Sequence, residues 1–268
     1  MFKGFQNAGQ GITATTTKPK NLFAGFPNTS FGNFNGLQGN IPSDSLVAWF
    51  NPQIIDGTNG ITLNGNTVSS WKDTSGTYNL VQATAANQPT LVQNSLTYKG
   101  RNYLSFDSTD FLQLNASTLG IGTNAVYTIL TLYFFSVNNS TGYSALLYSA
   151  PGAYTFGTST GGIRAINFTD TALRNINASA EPASLTLKGM EINRTNGLMY
   201  SHIGPIFRNA SVAILTALTD YNGGNFRFGG PVPSGTMTMF DTLIYNRALT
   251  QAEYSSIFNY FNGLYGYV

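Results

Sequence analysis

The chain has 268 residues and no cysteine. Disulfide frameworks, cysteine zinc sites and thiol nucleophiles are therefore excluded. It has one histidine, His202, so a multi-histidine metal centre is excluded as well. Only 9% of its residues are charged, against about 25% in an average soluble protein. Glutamate occurs three times, at Glu181, Glu191 and Glu253. Long apolar runs are missing too. The longest, AVYTILTLYFFSV from Ala125 to Val137, carries threonines and falls short of the ~20 residues a membrane helix requires. It reads as a buried central strand. The opening MFKGFQNAGQ has no apolar h-region, so a soluble protein made without a secretory signal is expected.

Hydrophobic residues make up 42% of the chain, enough for a sizeable core, and solubility falls to glycine, asparagine, serine and threonine. Such a composition suits a turn-rich β protein, or one that buries surface against neighbours. The net charge of +2 is unevenly spread. Residues 1–43 hold Lys3, Lys18 and Lys20 and no acid. Three lysines over forty residues are too sparse for a nucleic-acid-binding patch, and a solvated polar linker accounts for them.

Residues 1–43 differ from the remainder in pattern. FKGF, FAGF and FGNF repeat one device, two phenylalanines three apart with glycine between or beside them. Phe2 is followed by Phe5, Phe23 by Phe26, and Phe31 by Phe34. Glycine and Pro27 discourage helix, and no strand alternation persists. Burying one ring contributes about 1.5–3 kcal/mol, whereas fixing one backbone residue costs about 1–2 kcal/mol. Six rings do not by themselves order forty residues. This arm needs a surface to dock on, either its own domain or another protein subunit. Its expected anchors are Phe2, Phe5, Phe23, Phe26, Phe31 and Phe34.

From Asp44 the pattern becomes that of strands and turns. SLVAWFNP is a strand with a tryptophan. GITLNGNTVSSWKDTSG holds two short runs broken at Asn-Gly, a hairpin signal. Further short strands follow at spacings of about ten residues, which is how a β-sandwich reads. At the end, Thr250 and Glu253 have capping-box spacing. Tyr254, Ile257, Phe258, Phe261 and Leu264 then recur at helical steps.

Three stretches in order resemble LamG-like domains of the concanavalin A-like lectin/glucanase superfamily. LVAWFNP with WKDTSG and QPT is similar to their opening, GRNYLSFDSTDFLQL to their next element, and FDTLIYNRALTQAEYSSIFNYFNGLYG to their ending. The resemblance covers residues 44–268 and implies an all-β jelly-roll sandwich of two antiparallel sheets. The final helix is expected to lie across an end or edge of it. The expected organisation is thus an extended arm, 1–43, and a sandwich, 44–268.

Glucanases of this superfamily carry clustered acids, and retaining glycosidases need two carboxyls about 5–5.5 Å apart. Glu253 is committed to the helix cap, and neither Glu181 nor Glu191 has a second acid nearby in sequence. No enzyme activity is expected. His202 stands alone, with no nucleophile elbow at Ser201. No cofactor is expected either; calcium is the ion the resemblance allows, with Asp73, Asp107, Asp110 and Asp241 as candidate ligands but no dense D-x-D-x-D-G run. The inherited function of the fold is glycan binding. Exposed aromatics and amides serve it, and Tyr154, Tyr221, Asn222 and Asn225 are the candidates.

Two functions are therefore expected. The first is a structural or decoration protein of a large assembly such as a virus or phage particle, assembled in the cytoplasm and joined to other subunits through residues 1–41. The alternative is a carbohydrate-binding or adhesion module.

Overall fold

In RNYLSF, apolar and polar residues alternate, and burial alternates with them: Asn102, Leu104 and Phe106 are buried while the residues between are partly exposed. That two-residue period recurs through the molecule. The computed structural model describes residues 41–115 apart from 58 and 108, residue 119, and residues 125–135, 154–158, 164–169, 173–178, 184–214, 225–230 and 236–266. The arm phenylalanines Phe2, Phe5, Phe23, Phe26, Phe31 and Phe34 lie outside the described residues, as do Tyr221 and Asn222.

Sixteen strands and one α-helix are present among the described residues. The first eight strands are β1 (Leu46–Phe50), β2 (Ile61–Asn64), β3 (Thr67–Lys72), β4 (Asn79–Val81), β5 (Thr90–Ser95), β6 (Arg101–Phe106), β7 (Phe111–Asn115) and β8 (Val126–Phe135). Then come β9 (Tyr154–Thr158), β10 (Arg164–Thr169), β11 (Leu173–Ala178), β12 (Thr186–Asn193), β13 (Leu198–Ile203), β14 (Ile206–Ala213), β15 (Asn225–Gly229) and β16 (Met237–Tyr245). The helix α1 runs Gln251–Tyr265. The strands β9, β10 and β11 form a separate three-stranded antiparallel sheet.

The other thirteen strands follow one hydrogen-bonded path, β14-β13-β12-β8-β16-β6-β5-β3-β4-β7-β15, with β1 added to β16 and β2 to β3. The two layers of the sandwich are thus joined through the β5–β6 hairpin. Beyond it β5 meets β3 at the single pair Thr67–Thr90. The layers face each other through rings: Phe50 of β1 packs edge-on to Trp71 of β3 and to Phe228 of β15, both at 5.6 Å. Around these sit Leu80, Leu112, Ile129, Met190, Ile192, Met237 and Met239, all essentially without exposure. The hairpin expected at Asn-Gly joins β2 to β3, with Gly65 at φ 65° in the turn. The long apolar run is β8, paired on one side with β12 and on the other with β16.

Residues 41–43 pack against the sandwich. Ile41 is buried, and the Tyr245 hydroxyl donates to the Pro42 carbonyl at 3.0 Å.

The helix differs from expectation in its place and in its buried face. It lies across strand faces rather than at an edge: Tyr260 meets Trp49 of β1, Tyr265 meets Phe240 of β16, and Tyr254 stacks on His202 of β13. The buried residues are Tyr254, Ile257, Tyr260, Phe261 and Tyr265, while Phe258 and Leu264 are half-exposed. Tyrosines displace the more apolar residues because their hydroxyls find partners underneath: Tyr254 donates to the Gly204 carbonyl at 2.7 Å, and Tyr265 donates to Asp241.

A bulge in β16 makes that contact. Against β8, Met239 pairs with Tyr133 and Thr242 with Thr131, so β16 holds one extra residue. Met239 remains in the core, while Phe240 and Asp241 both turn towards the helix.

At its start, Thr250 accepts from the Glu253 amide and Glu253 accepts from the Thr250 amide, the reciprocal capping box. Arg247 donates to both Glu253 oxygens at 2.6 and 2.9 Å, which holds that carboxyl down at about 2. At its end, Lys99 donates to the Gly263 carbonyl, and Gly266 closes the helix in the left-handed region. Replacing Thr250 by alanine is expected to lower stability by about 1 kcal/mol. Urea denaturation should show a lower midpoint with an unchanged slope, and Thr250→Ser should restore most of the loss.

Candidate functional site

The inward residues of the second layer determine which side chains face out. Trp71, Leu80, Leu112, Phe226 and Phe228 belong to the core. By strand alternation Ser70, Val81, Phe111, Gln113, Asn225 and Arg227 point the other way. Ser70 pairs with Val81, Val81 with Gln113, and Gln113 with Arg227. These four stand in one row across β3, β4, β7 and β15. Val81 is 45% exposed, Asn225 is exposed, and Gln113 and Arg227 are half-buried.

The polar members are tied together. The Gln113 Oε1 accepts from Arg227 Nε at 3.2 Å, from Arg227 Nη2 at 2.7 Å and from Asn225 Nδ2 at 3.3 Å. The Arg227 guanidinium lies over the Phe111 ring, 4.0 Å from its centroid. This outer face, with β15 at the end of the sheet path, is the candidate functional site.

Among the residues expected to bind sugar, Asn225 stands here. Tyr221 and Asn222 precede it in sequence but lie outside the described residues. Tyr154 opens β9 in the separate sheet, and its side chain is not described. Sequence reasoning missed Gln113 and Arg227. The available signal was the alternation FLQLN against NFRFG, which puts a glutamine and an arginine opposite buried residues.

The four aspartates do not converge. Asp73 closes the turn after β3, accepting from the Ser75 and Tyr78 amides at 3.0 and 2.8 Å. Asp107 accepts from the Thr109 and Asp110 amides, and Asp110 accepts from the Asp107 amide. Burial, reinforced by the Asp107 charge, raises the Asp110 carboxyl to about 6 despite a bond from the Asp107 amide. Asp241 lies beneath α1, accepting from Trp49 Nε1 at 2.7 Å and from Tyr265; burial raises it to about 6 against those bonds. Among the described residues, no group of three or more His, Asp or Glu side chains is placed to hold a metal.

A second polar cluster lies under the helix. Glu191 of β12 is fully buried and takes Arg208 of β14 on both oxygens, at 2.8 and 3.1 Å. The Arg208 amide donates to His202 Nδ1 at 3.1 Å. The proton of the neutral ring therefore sits on Nε2, which has no hydrogen-bond partner among the described residues and lies 3.8 Å from Glu191. Burial, with the Arg208 charge, depresses His202 to about 3. Arg208 itself adopts φ 49°, held there by its amide bond, its carboxylate pair and the flanking rings of Tyr200 and Phe207. No second carboxyl contacts Glu191 among the described residues, so the pair required for retaining glycoside hydrolysis is not assembled there. The sequence signal for this cluster was an acid inside the otherwise apolar GMEI.

No protein-family model matches the sequence, and no curated protein matches it either. Solved structures do match. Trypanosoma rangeli sialidase in complex with sialic acid is similar with a TM-score of 0.59 and 16% identity, over 83% of this chain and 34% of that one. The binding domain of botulinum neurotoxin DC in complex with SialylT is similar with a TM-score of 0.55 and 14% identity, over 81% of this chain and 52% of that one. The same domain in complex with rat synaptotagmin II gives 0.54 and 16%, with the same coverage. This chain spans about a third of the sialidase and about half of the toxin domain. At such identities the likeness is one of fold alone, a β-sandwich.

Two pH effects of opposite sign follow. Between about 6.5 and 3 the unfolded chain takes up a proton at His202 that the folded chain refuses, so this group lowers stability as pH falls. Between about 6 and 4 folded Asp241 takes up a proton that the unfolded chain refuses, so this group raises stability as pH falls and loses that contribution as pH rises through 6. The fall in unfolding free energy from pH 7 to pH 4 should therefore be smaller for His202→Gln than for the parent chain, and larger for Asp241→Asn. The ion pair is asymmetric too. Arg208→Ala strands a buried carboxylate and should cost about 3–5 kcal/mol, more than the about 1–3 kcal/mol of Glu191→Gln.

Proposed function

We propose that this chain is a non-catalytic glycan-binding sandwich of the LamG-like kind, and that the outer face of β4, β7 and β15 is its binding surface. The observation that carries the reading is the outward-facing row of Val81, Gln113 and Arg227 with Asn225 and Phe111 beside it. It combines apolar surface with convergent amides, the chemistry that fixes a hydroxyl-rich ligand. Support comes from the named complexes of similarly folded proteins with sialic acid and SialylT.

A second reading rests on the phenylalanine pairs of residues 1–43: the arm docks on other subunits of a large particle and the sandwich is displayed on its surface. The two roles are compatible. Removing residues 1–40 tests the second alone, since particle incorporation should be lost while glycan binding persists.

A glycan array tests the first. The intact chain should bind at least one class of glycan, and Asn225→Ala should weaken that binding by about fivefold or more, about 1 kcal/mol. An array on which no glycan is retained would remove the reading.

A further inference from the structure

The hydrogen bonds on the outer face determine which way two amides point. Arginine only donates, so the Gln113 atom that faces Arg227 Nε and Nη2 is the carbonyl oxygen. The Asn225 atom facing that same oxygen must in turn be its NH₂ group. The Gln113 Oε1 thus takes three donors, and its Nε2, with two N–H bonds, has no partner among the described residues. The Asn225 Oδ1 has none either, and the return bond from Gln113 Nε2 to Asn225 Oδ1 is not made. A fixed donor and a fixed acceptor stand side by side on an exposed face, next to the apolar surface of Val81.

Resting on the glycan-binding reading, we infer that Gln113 and Asn225 form a preset donor–acceptor pair that binds two adjacent hydroxyls of a neutral sugar ring. One hydroxyl oxygen accepts from Gln113 Nε2, and the neighbouring hydroxyl donates to Asn225 Oδ1. Val81 receives the C–H face of the ring. Arg227 is a positioning residue. One guanidinium edge is turned to Gln113, one face covers Phe111, and it has further interactions within the chain. Its Nε, Nη2 and one face are engaged within the chain, so in this proposal selection falls to the neutral amides and no carboxylate is required on the ligand. The pair is also preorganised: its rotamers are held before the sugar arrives, which reduces the entropy lost on binding.

The test uses the full chain and two kinds of probe, immobilised neutral polysaccharides (mannan, β-glucan, galactan) and sialyllactose. Gln113→Glu keeps the oxygen that Arg227 and Asn225 hold but replaces the two N–H donors by an acceptor. It should bind the neutral probe at least tenfold more weakly than the parent chain, with an unchanged thermal midpoint. Gln113→Met carries the same expectation should the glutamate variant unfold. A deoxy analogue of the bound sugar, lacking the hydroxyl that accepts from Gln113 Nε2, should lose affinity for the parent chain by a similar factor yet bind parent and Gln113→Glu chains equally. Arg227→Lys should weaken the sugar while leaving the ligand preference unaltered. Neutral-probe binding that survives both Gln113 substitutions would overturn the inference. So would retention of sialyllactose alone, which leaves the glycan-binding reading standing. Retention of no probe would overturn both.

Discussion

Phe50, Trp71 and Phe228 meet edge-on between the layers, and their burial decides what the outer surface can be. A strand with one face in the core has one register, because a slip of a single residue would turn every inward ring outward. Trp71, Leu80, Leu112 and Phe228 lock β3, β4, β7 and β15 in this way. The outward row of Ser70, Val81, Gln113 and Arg227 is the other side of the same constraint. The candidate site is therefore built on paired strands rather than on a loop, and its amides inherit the rigidity of the core beneath them.

The first layer solves a different problem. Its outer face is as apolar as its inner one, with Trp49, Leu130, Leu132, Leu187, Phe240 and Leu243 all buried. One helix has to cover it. The bulge in β16 brings Phe240 and Asp241 to the helix together, and the tyrosines of α1 satisfy the polar groups that this arrangement buries. Glu191, His202 and Arg208 add a second buried polar group under Tyr254. Such groups cost desolvation, offset here by the bonds of Glu191 to Arg208 and of His202 Nδ1 to the Arg208 amide, while His202 Nε2 is left without a bond among the described residues. They read as the internal fastening of the helix, which explains why a chain of strands ends in one.

Much of the fold was legible in the chain. The hairpin at Asn64–Gly65, the buried run of β8, the helix cap at Thr250 and Glu253 and the sandwich itself follow from period, turn chemistry and capping, all local properties. The buried face of α1 was only partly legible: Phe258 and Leu264 looked more apolar than Tyr260 and Tyr265, but Tyr265 finds hydroxyl partners in Asp241 and Gln53, and Tyr260 finds the edge of Trp49. Of the sugar-binding candidates, Asn225 is the one whose side chain is among the described residues, and it falls on the face now proposed. Its partners in β7 are more than a hundred residues away in sequence.

The sequence alone determined the class of structure and the absence of thiol or multi-histidine chemistry, because composition and short-range periodicity carry that information. Tertiary structure alone decided that Gln113, Asn225 and Arg227 share one oxygen, that His202 lies against Glu191, and that an extra residue in β16 turns Asp241 towards the helix. Strand pairing sets these neighbours across long stretches of chain, and a linear pattern does not say which strand lies beside which.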